Sequence, residues 1–186
     1  MPPSASGRHN RSLCESLLEA GGATLGAVEA WPEPVERVAA VLRAQAADAR
    51  IEEFSEGTPT ASAAARAVGC EASQIVKSLV FVCDGAAVLA LVPGHRRADA
   101  AKVAAAAGAG KARIARAEEV VAATGFEPGA VAPFPVAHVS RVLVEQELLQ
   151  EEIVWIGAGS SRHMAGLAPL DLVRLANAVP VDLAEA

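Results

Sequence analysis

Aromatic residues are scarce in this chain of 186 residues. It has no tyrosine, four phenylalanines and two tryptophans, whereas alanine, valine and leucine are abundant. The core must therefore be mainly aliphatic, and the chain is long enough to bury a sizeable one. A shortage of aromatic rings also leaves few platforms on which single-stranded bases could stack. The composition favours one globular domain of common size.

Cysteines are equally few, at Cys14, Cys70 and Cys83. Their number is odd, no two of them form a C-x-x-C pair, and none of the four histidines completes a cluster with zinc spacing. We therefore expect reduced cysteines, a cytoplasmic location, and neither a metal nor another cofactor. Cys83 lies in an apolar segment and is expected to be a small buried residue.

Long apolar runs and several familiar catalytic motifs are missing as well. No segment approaches the ~20 apolar residues needed to span a bilayer, and the first dozen residues lack the apolar centre of a signal peptide. The sequence contains no P-loop, no G-x-G-x-x-G, no G-x-S-x-G and no H-E-x-x-H. These absences argue against a membrane partner, a common nucleotide-binding loop, a serine nucleophile and a zinc protease.

Positive charge is in the minority overall but is concentrated in one strip. The formal net charge of −6 argues against a protein that coats nucleic acid through a broad positive field. Between residues 95 and 116, Asp99 is the one acidic residue, and the basic residues are Arg96, Arg97, Lys102, Lys111, Arg113 and Arg116. Two interpretations remain open, a local contact with a phosphate backbone or a solvated helix face with its loops.

The strongest local signal is a β-hairpin over residues 77–93. Two apolar runs rich in valine and leucine flank Asp84-Gly85, a pair that suits the positive φ angles of a tight turn. Because most positions in both runs are apolar, we expect the hairpin to be covered on both faces and to lie centrally in a sheet.

Lys77 opens this hairpin and interrupts its apolar pattern. Alternation along a strand places its side chain on the same face as Leu79, Phe81 and Cys83. The lysine either extends its ammonium into solvent or lies at the mouth of a pocket, and the sequence leaves both possibilities open.

Helical and strand patterns alternate over residues 31–186, which we expect to form one domain after an N-terminal arm over residues 1–30. The first helix is expected over residues 33–49 and the second over residues 61–68, with Thr60 as its N-cap. Since the clearest strand pair is an antiparallel hairpin, the pattern predicts an α+β fold with a mixed, mainly antiparallel sheet.

Four separated segments of the chain resemble the YbaK/ProX family of aminoacyl-tRNA deacylases. They are T-P-T-A-S-A-A-A-R-A-V-G-C-E-A-S-Q-I-V-K-S-L-V-F, V-L-A-L-V-P-G-H-R-R-A-D-A-A-K-V-A, T-G-F-E-P-G-A-V-A-P-F and I-V-W-I-G-A-G-S-S-R-H-M-A-G-L-A-P-L-D-L. The resemblance covers roughly residues 51–183 in the family's order. It implies a barrel-like sheet surrounded by helices and hydrolysis of the ester that joins a wrong amino acid to a tRNA.

The resemblance also implies partners. The family occurs as free-standing proteins that edit in trans and as an insertion in bacterial prolyl-tRNA synthetases, and the chain shows no synthetase segments, which fits the free-standing form. We therefore expect a mischarged tRNA as substrate, an aminoacyl-tRNA synthetase as an occasional partner, and a monomer.

Site residues follow from the resemblance position by position. The family's pocket lysine corresponds to Lys77. Its glycine-rich pocket loop, G-G-x-[ST]-P-[FL]-G, corresponds to residues 129–135, and the substrate-binding positions are Gly129, Ala130, Val131, Ala132 and Pro133. A third segment corresponds to Gly157, Ala158 and Gly159, with His163 as the histidine that some subfamilies carry downstream.

The chain departs from the family pattern in its pocket loop, where Ala130, Ala132 and Pro135 replace a glycine, a hydroxyl residue and a glycine. These departures narrow or stiffen the loop. The small residues of both loops suit a small amino acid such as alanine, serine or cysteine, and Arg96, Arg97 and Lys102 are candidates for binding the acceptor stem. A non-catalytic binding module of the same fold and an esterase without an RNA partner are the alternatives.

Overall fold

The computed structural model describes residues 31–58 and 60–185. The predicted arm over residues 1–30 lies outside the described residues, so the division between that arm and the rest of the chain stays a prediction. None of the helices in the described part is both long and apolar enough to cross a bilayer.

The described residues contain five α-helices, eight β-strands and two 3₁₀ turns. The helices are α1 (Glu33–Ala44), α2 (Ala61–Val68), α3 (Ala100–Ala107), α4 (Ala117–Thr124) and α5 (Pro169–Ala176). The strands are β1 (Ala49–Glu53), β2 (Val76–Cys83), β3 (Ala86–Pro93), β4 (Ala112–Ile114), β5 (Arg141–Glu145), β6 (Val154–Gly157), β7 (His163–Leu167) and β8 (Ala178–Val181). The 3₁₀ turns are Ala72–Gln74 and Gln146–Gln150.

The predicted hairpin is present as β2 and β3. The two strands pair antiparallel from Val76 opposite Pro93 to Cys83 opposite Ala86. Asp84 and Gly85 form the turn with φ angles of 48° and 93°, which is the left-handed region that this residue pair tolerates.

The strands form two sheets of mixed direction. The larger sheet has the order β4-β2-β3-β5-β8 and the smaller one β1-β7-β6. Four of the strand pairs are antiparallel, and β3–β5 and β5–β8 are parallel. A single parallel bridge between Ile75 and Trp155 connects the sheets. The mixed α+β prediction is confirmed, whereas the described strands form no closed barrel, so the barrel-like arrangement is not confirmed.

Both faces of the hairpin are buried, as predicted. On one face, Val80, Leu89 and Leu91 pack into a cluster with residues of α1, α5 and the smaller sheet. On the other face, Phe81 and Cys83 pack with Val103 of α3 and its neighbours. The core is aliphatic apart from a few rings, and Cys83 is one of its buried members.

Local signals account for most helix ends. Thr60 Oγ accepts a hydrogen bond from the main-chain N–H of Ala63 at 3.1 Å, so the predicted N-cap of α2 is confirmed. The prediction that α1 extends to residue 49 is wrong, because the helix ends at Ala44 and Ala46 takes a positive φ of 48°. The chain leaves the helix there to enter β1.

The pairing of β2 is incomplete, and this gap positions the site. Strand β4 pairs with Phe81, Val82 and Cys83, and the main-chain N–H of Ala115 bonds to the Val80 carbonyl at 2.9 Å. The edge of β2 over residues 76–79 therefore has no hydrogen-bonded strand beside it in the described structure.

Candidate active site

A cavity of about 330 Å³ lies along the open edge of β2. Its walls come from the start of β2 in the larger sheet, from the end of β6 and the start of β7 in the smaller sheet, and from the beginning of α2. Of the residues predicted from the sequence, the cavity brings together Lys77, Gly129, Val131, Gly157 and His163. Its volume lies in the range of small-molecule sites.

Lys77 is half-buried at the second position of β2. Its Nζ donates a hydrogen bond to the main-chain carbonyl of Arg96. Burial, followed by the positive charge of Arg97, lowers the pKa of Lys77 below its ordinary value. Of the two possibilities left open by the sequence, a pocket position is the one observed. An ammonium held in such a place can stabilise negative charge on a bound group.

The loop over residues 129–135 meets the cavity at alternate positions. Gly129, with φ of 85°, and Val131 line it. Ala130, Ala132 and Pro133 are buried and are not part of the lining. The replacements at Ala130 and Ala132 therefore affect how the loop packs more than what a ligand would touch.

The segment Gly157-Ala158-Gly159 lies against that loop. A Cβ atom on Gly157 would lie 3.1 Å from the Val131 carbonyl oxygen, so glycine permits the close contact between the two loops. Ala158 is fully buried in the core. Gly159, with φ of 92°, packs against the main chain of Pro34 at the start of α1. Of the three residues, only Gly157 lines the cavity.

His163 is buried in the cavity wall, with 4% of its surface exposed. Its Nδ1 lies 2.7 Å from Ser160 Oγ, and its Nε2 lies 3.9 Å from Glu53 Oε2. Burial lowers the pKa of His163, Glu53 opposes that shift, and Arg162 adds to it. The ring is therefore neutral at neutral pH, because the ordinary pKa is already near 6.5.

Several cavity residues were missed by sequence reasoning. They are Thr58, Ala61, Ser78, Ser160 and Met164, together with Thr60, which was predicted only as a helix cap. Sequence signals existed for two of them, since Ser78 follows the pocket lysine and Ser160 follows the third glycine segment. The others reach the cavity because α2 begins beside β7.

The predicted RNA-binding residues lie close to one another but differ in whether their charged groups are already paired within the protein. Arg96 contacts Glu147 at 3.6 Å and the Glu185 carbonyl at 3.0 Å. Lys102 pairs with Asp182 at 2.8 Å. Arg97 is exposed and forms no ion pair with any described residue.

The fold and this cavity define a small α+β domain that presents a partly buried lysine to a pocket walled by glycine-containing loops. A family model described as "Aminoacyl-tRNA editing domain" matches residues 55–175. The chain belongs to this family, which confirms the resemblance found in the sequence.

Two relatives and one solved structure illustrate the family. The proline–tRNA ligase of Nitratidesulfovibrio vulgaris (strain DP4) is 33% identical over 129 residues, which are 69% of this chain and 22% of the ligase. An Enterococcus faecalis protein named "Putative Cys-tRNA(Pro)/Cys-tRNA(Cys) deacylase EbsC" is 28% identical over 125 residues, 67% of this chain and 76% of that protein. A crystal structure described as "a putative trans-editing enzyme for prolyl tRNA synthetase" superposes with a TM-score of 0.78 at 35% identity, covering 84% of this chain and 100% of that one.

Proposed function

We propose that this chain is an aminoacyl-tRNA deacylase that acts in trans and removes a small, wrongly attached amino acid from tRNA. The observation that carries the proposal is the half-buried ammonium of Lys77 at the edge of the cavity. Membership of the editing-domain family supports the reaction class. The structural likeness to a protein named as a trans-editing enzyme supports action in trans.

The reaction is hydrolysis of an activated ester. Water adds to the carbonyl carbon, negative charge develops on the carbonyl oxygen, and the bond to the ribose oxygen then breaks. The water loses one proton, the ribose oxygen gains one, and the products are the free amino acid and the uncharged tRNA. Such a reaction needs positioning and charge stabilisation more than a protein nucleophile.

Lys77 has two possible tasks in this scheme. Its ammonium stabilises either the developing negative charge on the ester oxygen or the terminal phosphate of the tRNA. A group that acts only in the transition state affects kcat, whereas one that binds substrate and transition state alike affects KM. The ribose hydroxyl beside the ester is suited to orienting the water.

The cavity walls support a small acyl group. Ala61 and Ala64 of α2 line the cavity together with Gly129 and Gly157, and larger side chains at these positions would reduce its volume of about 330 Å³. Synthetases discriminate poorly against amino acids that lack one methylene, because that difference is worth only about 1–3 kcal/mol. A second site that admits the smaller amino acid then removes it. We expect alanine, serine or cysteine as the acyl group.

The test is a panel of tRNAs charged with single amino acids, incubated with the purified protein. Release of one or two small amino acids, and its loss in Lys77→Ala, is the expected result. Arg43→Ala is the matched control, since it removes one positive charge from an exposed position outside the basic strip. Equal loss in both variants would show that overall charge, and not Lys77 at the cavity, accounts for the activity.

A binding module of the same fold is the second candidate, favoured by the replacements at Ala130 and Ala132 in the pocket loop. In that case the protein binds aminoacyl-tRNA or a synthetase tightly and releases no amino acid from any member of the panel. Hydrolysis of an aminoacyl ester of a short alcohol, without any effect of the tRNA, would instead indicate a simple esterase.

A further inference from the structure

A row of polar contacts joins Ser160 and His163, which line the cavity, to Glu53, which lies outside its lining. Ser160 Oγ lies 2.7 Å from His163 Nδ1. On the opposite side of the ring, Nε2 lies 3.9 Å from Glu53 Oε2. Glu53 and His163 are direct neighbours in the antiparallel register of β1 and β7, so both side chains lie on the same face of the smaller sheet.

The contacts of Ser160 bear on which ring nitrogen carries the proton. Its Oγ accepts a hydrogen bond from the main-chain N–H of Arg162 at 3.1 Å. A serine hydroxyl has one proton to donate, and His163 Nδ1 is the acceptor at hydrogen-bond distance from it in the described structure. If the hydroxyl donates to Nδ1, the single proton of a neutral imidazole must reside on Nε2.

Glu53 favours the same tautomer from the other side. A lone pair on Nε2 would be repelled by the nearby carboxylate, whereas an N–H group is attracted to it. At 3.9 Å the contact is too long for a hydrogen bond. Glu53 also pairs with Arg162 at 2.9 Å through its other oxygen, which holds the carboxylate in place.

The Nε2 atom of His163 is closed to solvent and has no hydrogen-bond partner in the described part of the chain. Buried polar groups are nearly always paired, so an exception calls for an explanation. The ring lines the cavity. Nε2 itself faces Glu53, whose Oε2 lies 3.9 Å away, so an electrostatic contact takes the place of a hydrogen bond at this atom.

We propose that Ser160 is a positioning residue, which holds His163 as the Nε2–H tautomer directed at Glu53 and so fixes the ring as part of the wall against which the aminoacyl group binds. The identity of that group rests on the proposed function. The tautomer itself is a property of the free protein and is measured without substrate.

The first test is an NMR spectrum of the full chain labelled with ¹⁵N at histidine, near neutral pH, with His163→Gln used to assign the signals. The expected result is a protonated Nε2 and an unprotonated, hydrogen-bonded Nδ1 for His163. A proton on Nδ1 in the wild-type protein would overturn the proposal, and so would signals that show rapid exchange between the two tautomers.

The second test compares Ser160→Ala with Ser160→Thr. In Ser160→Ala the Nδ1–H tautomer should gain population, because the hydrogen bond to Nδ1 that disfavours it is lost. Deacylation should fall about tenfold, the effect of losing one neutral hydrogen bond. Ser160→Thr, which keeps the hydroxyl, should restore the tautomer and most of the activity.

Ser161→Ala is the matched control, because Ser161 is the exposed neighbour whose main chain, and not its hydroxyl, contacts Thr58. It should leave the His163 signals unchanged. An unchanged His163 spectrum in Ser160→Ala would overturn the positioning role. If Ser160→Ala does not fold, the wild-type spectrum and Ser160→Thr still decide.

The two proposals fail separately. A protein that releases no amino acid but shows the Nε2–H tautomer would contradict the deacylase and leave the role of Ser160 standing. A protein that deacylates with His163 protonated on Nδ1 would contradict the role of Ser160 and leave the deacylase standing.

Discussion

Lys77 donates a hydrogen bond from Nζ to the main-chain carbonyl of Arg96, which ties the cavity lysine to the first residues of the basic strip. The lysine lies in β2, whereas Arg96 follows β3. The contact directs the ammonium toward the strip, while the lysine itself lines the cavity. Any group that bridges the cavity and the strip therefore passes this charge.

Replacing Lys77 by alanine should lower kcat/KM by about 10²–10³-fold, the effect typical of removing one preorganised electrostatic donor. Lys77→Arg keeps the charge but not the geometry and should retain part of the activity. Steady-state deacylation of a mischarged tRNA measures both. A fall in kcat would place the ammonium on the ester oxygen, and a rise in KM alone would place it on the phosphate. Wild-type kinetics in Lys77→Ala would remove the lysine from the mechanism.

The pH dependence of deacylation should reveal the lowered pKa of Lys77. As pH rises through that pKa, the ammonium loses its proton and its charge stabilisation. The midpoint of the alkaline decline of kcat/KM should therefore lie below 10.5, the ordinary pKa of lysine. Spontaneous ester hydrolysis must be subtracted at each pH.

Two variants test whether deprotonation of Lys77 causes this decline. Arg97→Ala should move the decline to higher pH, because it removes a positive charge that lowers the pKa of Lys77. Lys77→Arg should abolish it, since arginine stays charged. A decline at the same pH in both variants would attribute it to another group.

Arg97 should contribute more to tRNA affinity than Arg96 or Lys102, because those two residues already contact Glu147 and Asp182. Arg97→Ala should raise KM and reduce the slope of log KM against log salt by about one, as expected for the loss of one phosphate contact. Titration over roughly 50–300 mM salt covers the relevant range.

Arg43→Ala, in a helix away from the strip, is the matched control for Arg97→Ala. It should change neither KM nor the salt slope. A wild-type KM that does not respond to salt would contradict a role of the strip in binding RNA.

Gly159→Ala should destabilise the fold far more than Gly69→Ala. Both glycines have positive φ, at 92° and 77°. A Cβ on Gly159 would lie 2.6 Å from the Pro34 carbonyl oxygen, whereas nothing lies within 4 Å of one on Gly69. We expect about 1 kcal/mol for Gly69→Ala from backbone strain alone and roughly 3 kcal/mol for Gly159→Ala.

Urea denaturation of the two glycine variants gives these free energies of unfolding. Equal losses in both would mean that Pro34 and α1 move aside readily.

Glu145 is a buried carboxylate that binds the main chain of residues 183 and 184. It accepts hydrogen bonds from the main-chain N–H groups of Leu183 at 2.5 Å and Ala184 at 2.9 Å. Both of these N–H groups bond to Oε2, and the Glu147 N–H bonds to Oε1. Glu145→Gln replaces one of the two oxygens by an amide nitrogen and should cost about 1–3 kcal/mol, since the N–H groups on that side lose their acceptor. Thermal unfolding measures the loss, with the exposed Glu152→Gln as control. Equal melting temperatures for the two variants would contradict this account.

Elements specified by neighbouring residues were predictable from the sequence. The hairpin follows from two apolar runs around Asp84-Gly85, and α2 follows from Thr60 and Gly69 at its two ends. The shared face of Lys77 and Phe81 follows from strand alternation. The early end of α1 was not predictable, because the positive φ of Ala46 has no local sequence signal.

Contacts between distant segments were beyond sequence reasoning. Glu53 and His163 are paired only because β1 and β7 are neighbours in the sheet. The acidic partners of the basic strip, Glu147 and Asp182, come from segments far along the chain. Family resemblance identified Lys77 and His163 but not Ser160, whose contact depends on the path of the loop before β7.

Lys77 belongs to the larger sheet and His163 to the smaller one. In the described structure, a bridge between Ile75 and Trp155 connects the two sheets. Lys77 is held by the pairing of β2 with β3, and His163 by the pairing of β7 with β1. A substitution that reshapes β7 or its preceding loop can alter the His163 wall without displacing the lysine. In evolutionary terms, this architecture lets the wall around His163 diverge while the position of Lys77 is kept.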